Sequence, residues 1–381
     1  MQKIISMNLI IIGSDPSLLS KDTSGYLKLL KYTKLFNRIV YFNFSKHYTI
    51  RKTNIFKNNL VLINLSYFRP ILFLREFKKV VNKYHLTPIN SVVTAQDPFI
   101  LGLLGLFVKR AFKYILSIQV HTDFLSTEYF KESVKNKIYS IIGRHIIYSA
   151  DSIRVVSRRI ANTLQKIGVL SEKIFILPIC IDPIDNGTEP IFNLEKILRY
   201  DLRFLIMSRI VKSKNISMAI DAFSILRGKT DKKVALLIVG DGPDKKEMMS
   251  FINKSGSEEH IYVYPHTNNP KYFYGLADIF LLSSSYEGWG MTILEALKND
   301  NIIVMTDVGC AGELVINGKN GFVVPVSDTY AMSLKLLQLV ESEELRKKIK
   351  AGIRVTKLDK YSEVLYLSEY RKYYSDLLIK K

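Results

Sequence analysis

Two glutamates lie eight residues apart where an apolar segment gives way to a helix-like one. The stretch 277–297 reads ADIFLLSSSYEGWGMTILEAL, with Glu287 in a glycine-containing loop and Glu295 in the segment that follows. Gly288 and Gly290 allow a tight turn whose amide groups can face a ligand. A carboxylate early in a helix can accept two hydrogen bonds from a vicinal diol such as a ribose. On spacing alone, an ordinary acidic helix start explains the stretch equally well.

Two cations follow another apolar segment of the second half. In RFLIMSRIVKSKN, Arg209 stands just past the predicted strand, and Lys214 stands near the start of the helix-like ISMAIDAFSIL. The free N–H groups and the positive dipole end of a helix attract anions, so this pattern predicts an anion site. A solvated basic loop is the alternative when the stretch is taken alone. The next loop, LLIVGDGPDKKEM, is typical of a structural turn.

The order of the apolar segments predicts an α/β architecture. Short β-rich runs alternate with helix-like stretches in both halves, and these runs are apolar throughout, which is typical of parallel strands buried on both faces. Pro, Asp, Asn and Gly cluster in 179–193, between the two series. At 381 residues the chain also exceeds the usual size of a single core. We therefore expect two doubly wound domains with an interdomain cleft, at 1–183 and 184–358, and a helical tail at 359–381 that can pack back on the first domain.

The positive charge is distributed unevenly along the chain. The formal net charge is +20; residues 1–185 hold 27 Lys and Arg against 11 Asp and Glu, a net of +16, whereas residues 186–381 hold 28 against 24, a net of +4. A biased base composition would raise both halves alike. We therefore expect the first half to face lipid headgroups or a lipid diphosphate, with nucleic acid as the weaker alternative.

Composition also bears on the compartment. The uncharged apolar run at residues 98–108 is much shorter than the roughly 20 residues that span a bilayer. Cys180 and Cys310 are too few for a disulfide framework, which suits a reducing cytosol. The opening MQKIISMNLIIIGSD predicts a first buried strand rather than a signal peptide. We expect a cytoplasmic protein, soluble or peripheral on the inner face of the cell membrane.

The order of these loops resembles the nucleotide-sugar domain of retaining glycosyltransferases of family 4, which have the two-domain GT-B fold. The spacing of Glu287 and Glu295 matches the Glu-x7-Glu signature of that family. The resemblance is specific over about 202–330, where it runs through SRIVKSKN, IVGDGP, the stretch 277–297 and IIVMTDVGCAGELVINGKNGFVVPVSD. In the first half it is looser and runs through TAQDP, QVHTD, RVVSRRI and ILPICID. It implies an acceptor-side first domain, 1–183, and a donor-binding second domain, 184–358.

The resemblance also implies residue roles. Arg209 and Lys214 would hold the donor diphosphate, Glu295 would bind the ribose hydroxyls, and Glu287 would meet the sugar. His121 of QVHTD would lie near the transferred sugar, although a structural histidine at a strand end is the alternative from sequence alone. The other donor contacts would be Gly288, Trp289, Gly290, Met291 and Thr292 in the second domain and Gly13 and Ser14 in the first.

The implied reaction moves a sugar from a UDP-, GDP- or ADP-sugar to a hydroxyl acceptor with retained configuration. No aligned pair of carboxylates supports double displacement, so front-face substitution is the favoured mechanism. No Asp-x-Asp is placed to hold a metal, since Asp241 stands alone between glycines; we therefore expect metal independence and no cofactor.

Several partners and alternatives stay open at this point. The basic residues 1–183 and the apolar segment before Lys109 and Arg110 favour a lipid-linked or cell-surface glycan, or a glycolipid, as acceptor, and an anionic membrane surface as a partner; nucleic acid is not expected. Other activities compatible with the sequence are a nucleotide-sugar epimerase or a phosphorylase of the same fold. A non-catalytic anion- or nucleic-acid-binding protein is the alternative from a different class.

Overall fold

The computed structural model describes residues 7–19, 23–44, 52–56, 59–65, 70–180 and 195–379. The chain divides into two compact units. The first unit comprises Met1–Leu125, Ser133–Pro178 and Val364–Lys381, and the second comprises Ser126–Glu132 and Ile179–Glu363. The predicted boundary between residues 183 and 184 lies outside the described residues.

Each unit is built on one β-sheet. The strands of the first unit are β1 (Asn8–Gly13), β2 (Arg38–Phe44), β3 (Lys52–Phe56), β4 (Leu60–Leu65), β5 (Ser91–Ala95), β6 (Ile115–Val120), β7 (Ser152–Val155) and β8 (Ile174–Ile176). Those of the second unit are β9 (Leu202–Met207), β10 (Val234–Val239), β11 (Ile261–Tyr264), β12 (Ile279–Leu282), β13 (Ile302–Thr306) and β14 (Gly321–Val324).

Helices cover these sheets. Along the described residues they are α1 (Ser24–Tyr32), α2 (Pro70–Lys83), α3 (Ile100–Phe112), α4 (Thr127–Glu132), α5 (Val134–Ser149), α6 (Arg158–Lys166), α7 (Ile216–Arg227), α8 (Lys245–Lys254), α9 (Pro270–Leu276), α10 (Met291–Lys298), α11 (Thr329–Glu341), α12 (Glu343–Arg354) and α13 (Glu363–Ile379). No helix of the described residues combines the length and the apolar character that crossing a bilayer requires.

The strand order of both sheets is that of doubly wound folds. The first sheet runs β3-β4-β2-β1-β5-β6-β7-β8, and the second runs β11-β10-β9-β12-β13-β14. Every pairing is parallel except β3 with β4. Strands such as β1 and β10 are buried at every position, as expected for parallel strands covered on both faces. The predicted two-domain α/β fold is confirmed.

The last helix, α13, packs in the first unit. Its buried face presents Tyr366, Tyr370, Tyr373 and Tyr374. The hydroxyl of Tyr373 lies 2.8 Å from the hydroxyls of both Ser117 and Ser152, and Tyr374 donates to Thr94 at 3.0 Å. The C-terminal residues therefore complete the core of the unit that contains the N-terminal strands.

The uncharged run 98–108, read from sequence as favouring a membrane, lies mostly in helix α3. That helix buries Leu101, Leu104, Leu106 and Val108 in the first unit. Gly102 and Gly105 let it approach the sheet closely, since a Cβ at Gly105 would lie 2.7 Å from the Leu116 side chain. Most of the run is therefore core, and only part of one face is left for solvent.

Candidate functional site

Two glycines of the loop after β10 support the loop that carries Arg209. Gly240 has φ +152°, and a Cβ there would overlap the Ser208 carbonyl oxygen. A Cβ at Gly242 would overlap the Ile210 carbonyl oxygen in the same way. The two loops are also joined by backbone hydrogen bonds, with the Ile210 N–H donating to Asp241 at 2.9 Å. The Gly-Asp-Gly sequence thus serves the close approach of two backbones at the carboxyl ends of β9 and β10.

Lys214 and Glu287 form an ion pair at this edge of the second sheet. Lys214 ends a short 3₁₀ helix before α7, and Glu287 lies in the loop between β12 and α10. The serines of the sequence SSS fix both partners: Ser284 donates to Glu287 Oε1 at 2.9 Å, and Ser283 donates to the Lys214 carbonyl oxygen at 2.9 Å. The two charges are therefore oriented by hydrogen bonds to the end of one strand.

Arg209 lies in the loop after β9, and its side chain is exposed. Its guanidinium group makes no hydrogen bond or ion pair with the described residues. A guanidinium group in this state keeps all five N–H donors available for an anion. Arg209 and Lys214 thus follow one strand, with one cation free and the other paired.

The N-terminus of α10 presents unpaired amide groups. Gly290 precedes the helix with φ +93°, a conformation that L-residues other than glycine rarely adopt. In the described part of the chain, the N–H groups of Gly290, Met291 and Thr292 have no acceptor. The turn is held from behind, because the Cys310 N–H donates to the Trp289 carbonyl oxygen at 2.9 Å. Free amides and the helix dipole together form a suitable environment for an anion.

Glu295 is held by a tyrosine that the sequence did not reveal. The hydroxyl of Tyr274, in α9, donates to Glu295 Oε2 at 2.7 Å. Burial raises the pKa of Glu295, while the Tyr274 hydrogen bond and Lys298 act in the opposite direction. Glu295 Oε1 has no hydrogen-bond partner among the residues that the structure describes. One carboxylate oxygen is therefore anchored and the other is available to accept a hydroxyl donor.

Trp289 contributes its backbone to the turn and its side chain to the core. The indole is buried, and its ring centroid lies 5.4 Å from that of Tyr361. Cys310, also fully buried, packs beside Gly290 as a small core residue. The side chains of Trp289 and Cys310 therefore help to shape the turn before α10.

In the first unit, Gly13, Ser14 and His121 lie at one edge of the sheet. Gly13 ends β1, Ser14 follows it, and His121 directly follows β6. Strands β1 and β6 both pair with β5 in parallel, so their carboxyl ends share that edge. A Cβ at Gly13 would overlap the Tyr41 hydroxyl, which gives this glycine a packing role in addition to any ligand contact.

The surroundings of His121 set its protonation. Gln119 Oε1 lies 3.1 Å from His121 Nε2 and accepts from Arg154 Nη1 at 2.9 Å. Because that oxygen only accepts, Nε2 carries the hydrogen of the neutral ring. Desolvation and the charges of Arg154 and Lys28 lower the pKa of His121 from 6.5. The residue keeps more than a third of its surface exposed, so solvent screens part of the effect of these charges.

Arg154 is a buried cation that the sequence analysis missed. It lies in β7 and donates to Gln119 and, at 3.2 Å, to the Leu177 carbonyl oxygen. The rings of Tyr366 and Tyr370 lie 5.4 and 5.6 Å from its guanidinium carbon. The signal was present, since an arginine within the apolar run SIRVVS breaks the pattern of a buried strand.

Some of the predicted site residues lie together in the structure, in two separate places. Lys214 and Glu287 are in contact, whereas Gly13, Ser14 and His121 form a separate group within the first unit. The supporting residues Ser283, Ser284 and Tyr274 gave no recognisable signal in the sequence. No cluster of three His, Cys, Asp or Glu side chains among the described residues could hold a metal ion, and metal independence stays a prediction.

The fold and this arrangement of strand-end loops define a class of protein. Two Rossmann-like α/β units, the second with basic and acidic loops at its strand ends, are the architecture of GT-B glycosyltransferases. Residues 193–355 match the family model of glycosyl transferases group 1. The fold is therefore the predicted GT-B fold, and residues 193–355 are similar in sequence to glycosyl transferases group 1.

Curated relatives and solved structures agree with this assignment. The chain is 26% identical over 172 residues to N-acetyl-alpha-D-glucosaminyl L-malate synthase of Bacillus anthracis, covering 45% of each chain. It is 30% identical over 235 residues to a Campylobacter jejuni enzyme, N-acetylgalactosamine-N,N'-diacetylbacillosaminyl-diphospho-undecaprenol 4-alpha-N-acetylgalactosaminyltransferase, covering 60% of this chain and 62% of the relative. The match therefore spans about half to three fifths of the length of these relatives. Anabaena HepE, crystallised with UDP and glucose, shares the fold with a TM-score of 0.73 and 17% identity, over 97% of this chain and all of that one.

Proposed function

We propose that the protein transfers a sugar from a nucleoside-diphosphate sugar to a hydroxyl acceptor, with retained configuration and without a metal ion. The second unit binds the donor, and the first unit binds the acceptor. The observation that carries this proposal is the convergence of Lys214, Glu287 and the free amides before α10 at the strand ends of one sheet. This is a site for a diphosphate with a hydroxyl-rich group attached.

The charges of this site suit the leaving group. A departing nucleoside diphosphate gains negative charge as the glycosidic bond breaks. Lys214, Arg209 and the N-terminus of α10 would stabilise that charge, and none of them needs to reorganise at the moment of reaction. Glu287 holds Lys214 through Oε1, and its Oε2, which has no hydrogen-bond partner among the described residues, could accept sugar hydroxyls.

The ribose and the sugar would be held by separate carboxylates. Glu295 has one oxygen fixed by Tyr274, so the other can accept a ribose hydroxyl. Glu287 is fixed by Ser284 through Oε1. Each acid would thus meet one hydroxyl-rich group, and the diphosphate would lie near Lys214 and the amides of Gly290, Met291 and Thr292.

The favoured chemistry is front-face substitution. The bond from the anomeric carbon to the diphosphate oxygen breaks, and the acceptor oxygen bonds to the same face of that carbon. The acceptor proton passes to the leaving phosphate oxygen, which makes a separate general base unnecessary. His121, neutral with its hydrogen on Nε2, would bind near the transferred sugar as a hydrogen-bonding group.

We also propose a lipid-linked or cell-surface glycan as the acceptor, at the cytoplasmic face of the membrane. The printed name of the Campylobacter jejuni relative describes a diphospho-undecaprenol-linked acceptor. The +16 charge of residues 1–185 suits an acceptor that carries a diphosphate. The nucleotide part of the donor would be UDP, GDP or ADP.

The test is binding followed by transfer. Thermal shift against UDP, GDP, ADP and their sugars identifies the donor, and labelled donor sugar is then offered to a polyprenyl-diphosphate-linked glycan in the presence of EDTA. We expect one nucleotide to stabilise the protein and label to move to the acceptor. Interconversion of the donor sugar without an acceptor would indicate an epimerase instead, and phosphate-dependent cleavage would indicate a phosphorylase. Stabilisation by polynucleotide but by no nucleotide diphosphate would refute the proposal.

A further inference from the structure

Helix α5 of the first unit carries a row of exposed apolar side chains. Val134, Ile138, Ile141 and Tyr148 are 71%, 51%, 68% and 42% exposed. Their spacings of four, three and seven residues place them on one face of an α-helix. Single exposed apolar residues are common on protein surfaces, but a stripe along four turns of one helix is not.

The orientation of this stripe is fixed by packing on the opposite face. Ser140, Gly143, Ile146 and Ile147 of α5 are buried. Gly143 lies directly on Phe124, since a Cβ there would come within 2.7 Å of the phenylalanine ring. Ser133 caps the N-terminus by accepting from the Asn136 N–H at 3.1 Å. The apolar stripe therefore belongs to a firmly seated helix.

Positive charge borders the stripe, and acidic residues are absent from the helix. Lys135, Lys137 and Arg144 are exposed on α5, whose sequence VKNKIYSIIGRHIIYS contains no Asp or Glu. A helix with an apolar face and flanking cations is typical of segments that lie in the interface of an anionic bilayer. A protein partner would need an acidic rim around an apolar groove to match the same surface.

The neighbouring helix α3 also exposes apolar side chains. It contacts α5, with a Cβ at Gly102 coming within 2.9 Å of the Ile146 side chain. Beside its buried residues it exposes Ile100, Leu103 and Phe107, followed by Arg110. It also contains no acidic residue. Two adjacent helices of the first unit therefore combine exposed apolar and basic side chains.

We propose that the exposed face of α5, extended by α3, docks the protein on an anionic lipid bilayer, with Ile138 and Ile141 entering the interface and Arg144 and Arg110 contacting headgroups. The docking itself does not depend on the transfer reaction. It deepens the proposed function only by bringing the first unit to the surface where a lipid-linked acceptor resides.

The experiment measures partition of the full chain between buffer and sedimenting vesicles. Vesicles of phosphatidylcholine alone are compared with vesicles containing phosphatidylglycerol, at low and high salt. We expect binding to the anionic vesicles at low salt and a marked loss at high salt, because headgroup attraction is screened. The Ile138→Ser/Ile141→Ser variant should lose at least about tenfold in partition. Arg144→Gln should lose about fivefold, and Arg110→Gln a similar amount.

The matched control is Ile89→Ser. Ile89 lies in the first unit, outside the α3 and α5 face, and is 83% exposed. It should bind vesicles like the unchanged protein. Far-ultraviolet circular dichroism and thermal unfolding check that each variant is folded; should the double serine variant unfold, the arginine variants and the salt series test the proposal instead.

Three results would overturn the inference. One is equal binding to neutral and anionic vesicles, and another is partition unaffected by both the α5 variants and salt. The third is self-association that the Ile138→Ser/Ile141→Ser variant abolishes, with no vesicle binding, since the stripe would then be covered by a second copy of the chain. Transfer activity is not a readout here, so vesicle binding can succeed while the proposed reaction fails, and the reverse.

Discussion

Replacing Lys214 should weaken nucleotide binding, whereas replacing Glu287, its partner in the ion pair, should not. Lys214→Met removes a cation that would contact the diphosphate, so nucleotide affinity should fall by roughly one to two orders of magnitude. Glu287→Gln removes a negative charge beside the same phosphates, so affinity should stay equal or rise several-fold. Both variants should nevertheless lose about 10²–10³ in turnover, because each removes a group needed in the transition state.

The stability cost follows from the partial burial of the pair. The side chains of Lys214 and Glu287 are 24% and 14% exposed, between the exposed and fully buried limits. Exposed pairs contribute about 0–1 kcal/mol, while removing one partner of a buried pair costs about 3–5 kcal/mol. We therefore expect each single variant to lose about 1–3 kcal/mol of unfolding free energy. The Lys214→Met/Glu287→Gln double variant should lose less than the sum, since neither charge is left unpaired.

The assays separate structural from functional roles. Urea unfolding measures stability, calorimetric titration with the stabilising nucleoside diphosphate measures affinity, and transfer of labelled sugar measures turnover. Lys212→Met is the control, because this exposed lysine lies in the same 3₁₀ helix and changes the net charge equally. If Lys214→Met lost stability but bound the nucleotide within twofold of the unchanged protein, the lysine would be structural and the reasoning would fail.

Three further predictions concern the supports of the site. Gly242→Ala should cost about 1–3 kcal/mol of unfolding free energy and weaken nucleotide binding, because a Cβ would overlap the Ile210 carbonyl oxygen. Gly275→Ala is the control, since a Cβ there has nothing within 4 Å, and it should change neither urea unfolding nor the nucleotide titration. Tyr274→Phe should cost about 1 kcal/mol of unfolding free energy. The Tyr274 hydrogen bond lowers the pKa of Glu295, so its loss should raise that pKa. On acidification, nucleotide affinity should then begin to fall at a higher pH than in the unchanged protein. The pKa of His121 is lower in the folded protein than the ordinary value of 6.5, so neutral His121 contributes its full stabilisation above pH 6.5. That contribution is lost as the pH falls toward the folded-state pKa. In NMR, the ring resonances of His121 should not titrate near pH 6.5.

Most of the fold could be predicted because apolar runs mark buried parallel strands. Strand β3, KTNIF, is not such an apolar run; it pairs at the sheet edge and antiparallel to β4. An edge strand needs no continuous apolar run, so its sequence carries little signal. Helix α3 buries most of residues 98–108, and α5 exposes a longer apolar stripe, so the membrane contact expected from this run stays a prediction.

The candidate site was partly visible because charged residues at strand ends are few. Arg209, Lys214 and Glu287 each follow an apolar strand, and the sheet order then fixes their edge. The Tyr274–Glu295 hydrogen bond could not be predicted, since 21 residues and a whole strand separate its partners. The same holds for Gln119, whose link between His121 and Arg154 exists only because β6 and β7 are adjacent.

The position of α13 has a consequence for biosynthesis. Tyr373 and Tyr374 bond to strands laid down more than 200 residues earlier, so the first unit lacks its final layer until α13 has been synthesised. The first part of the polypeptide to emerge would thus be the last to mature. A nascent chain stalled before residue 363 should remain open to protease in its N-terminal region, and synthesis of α13 should close it.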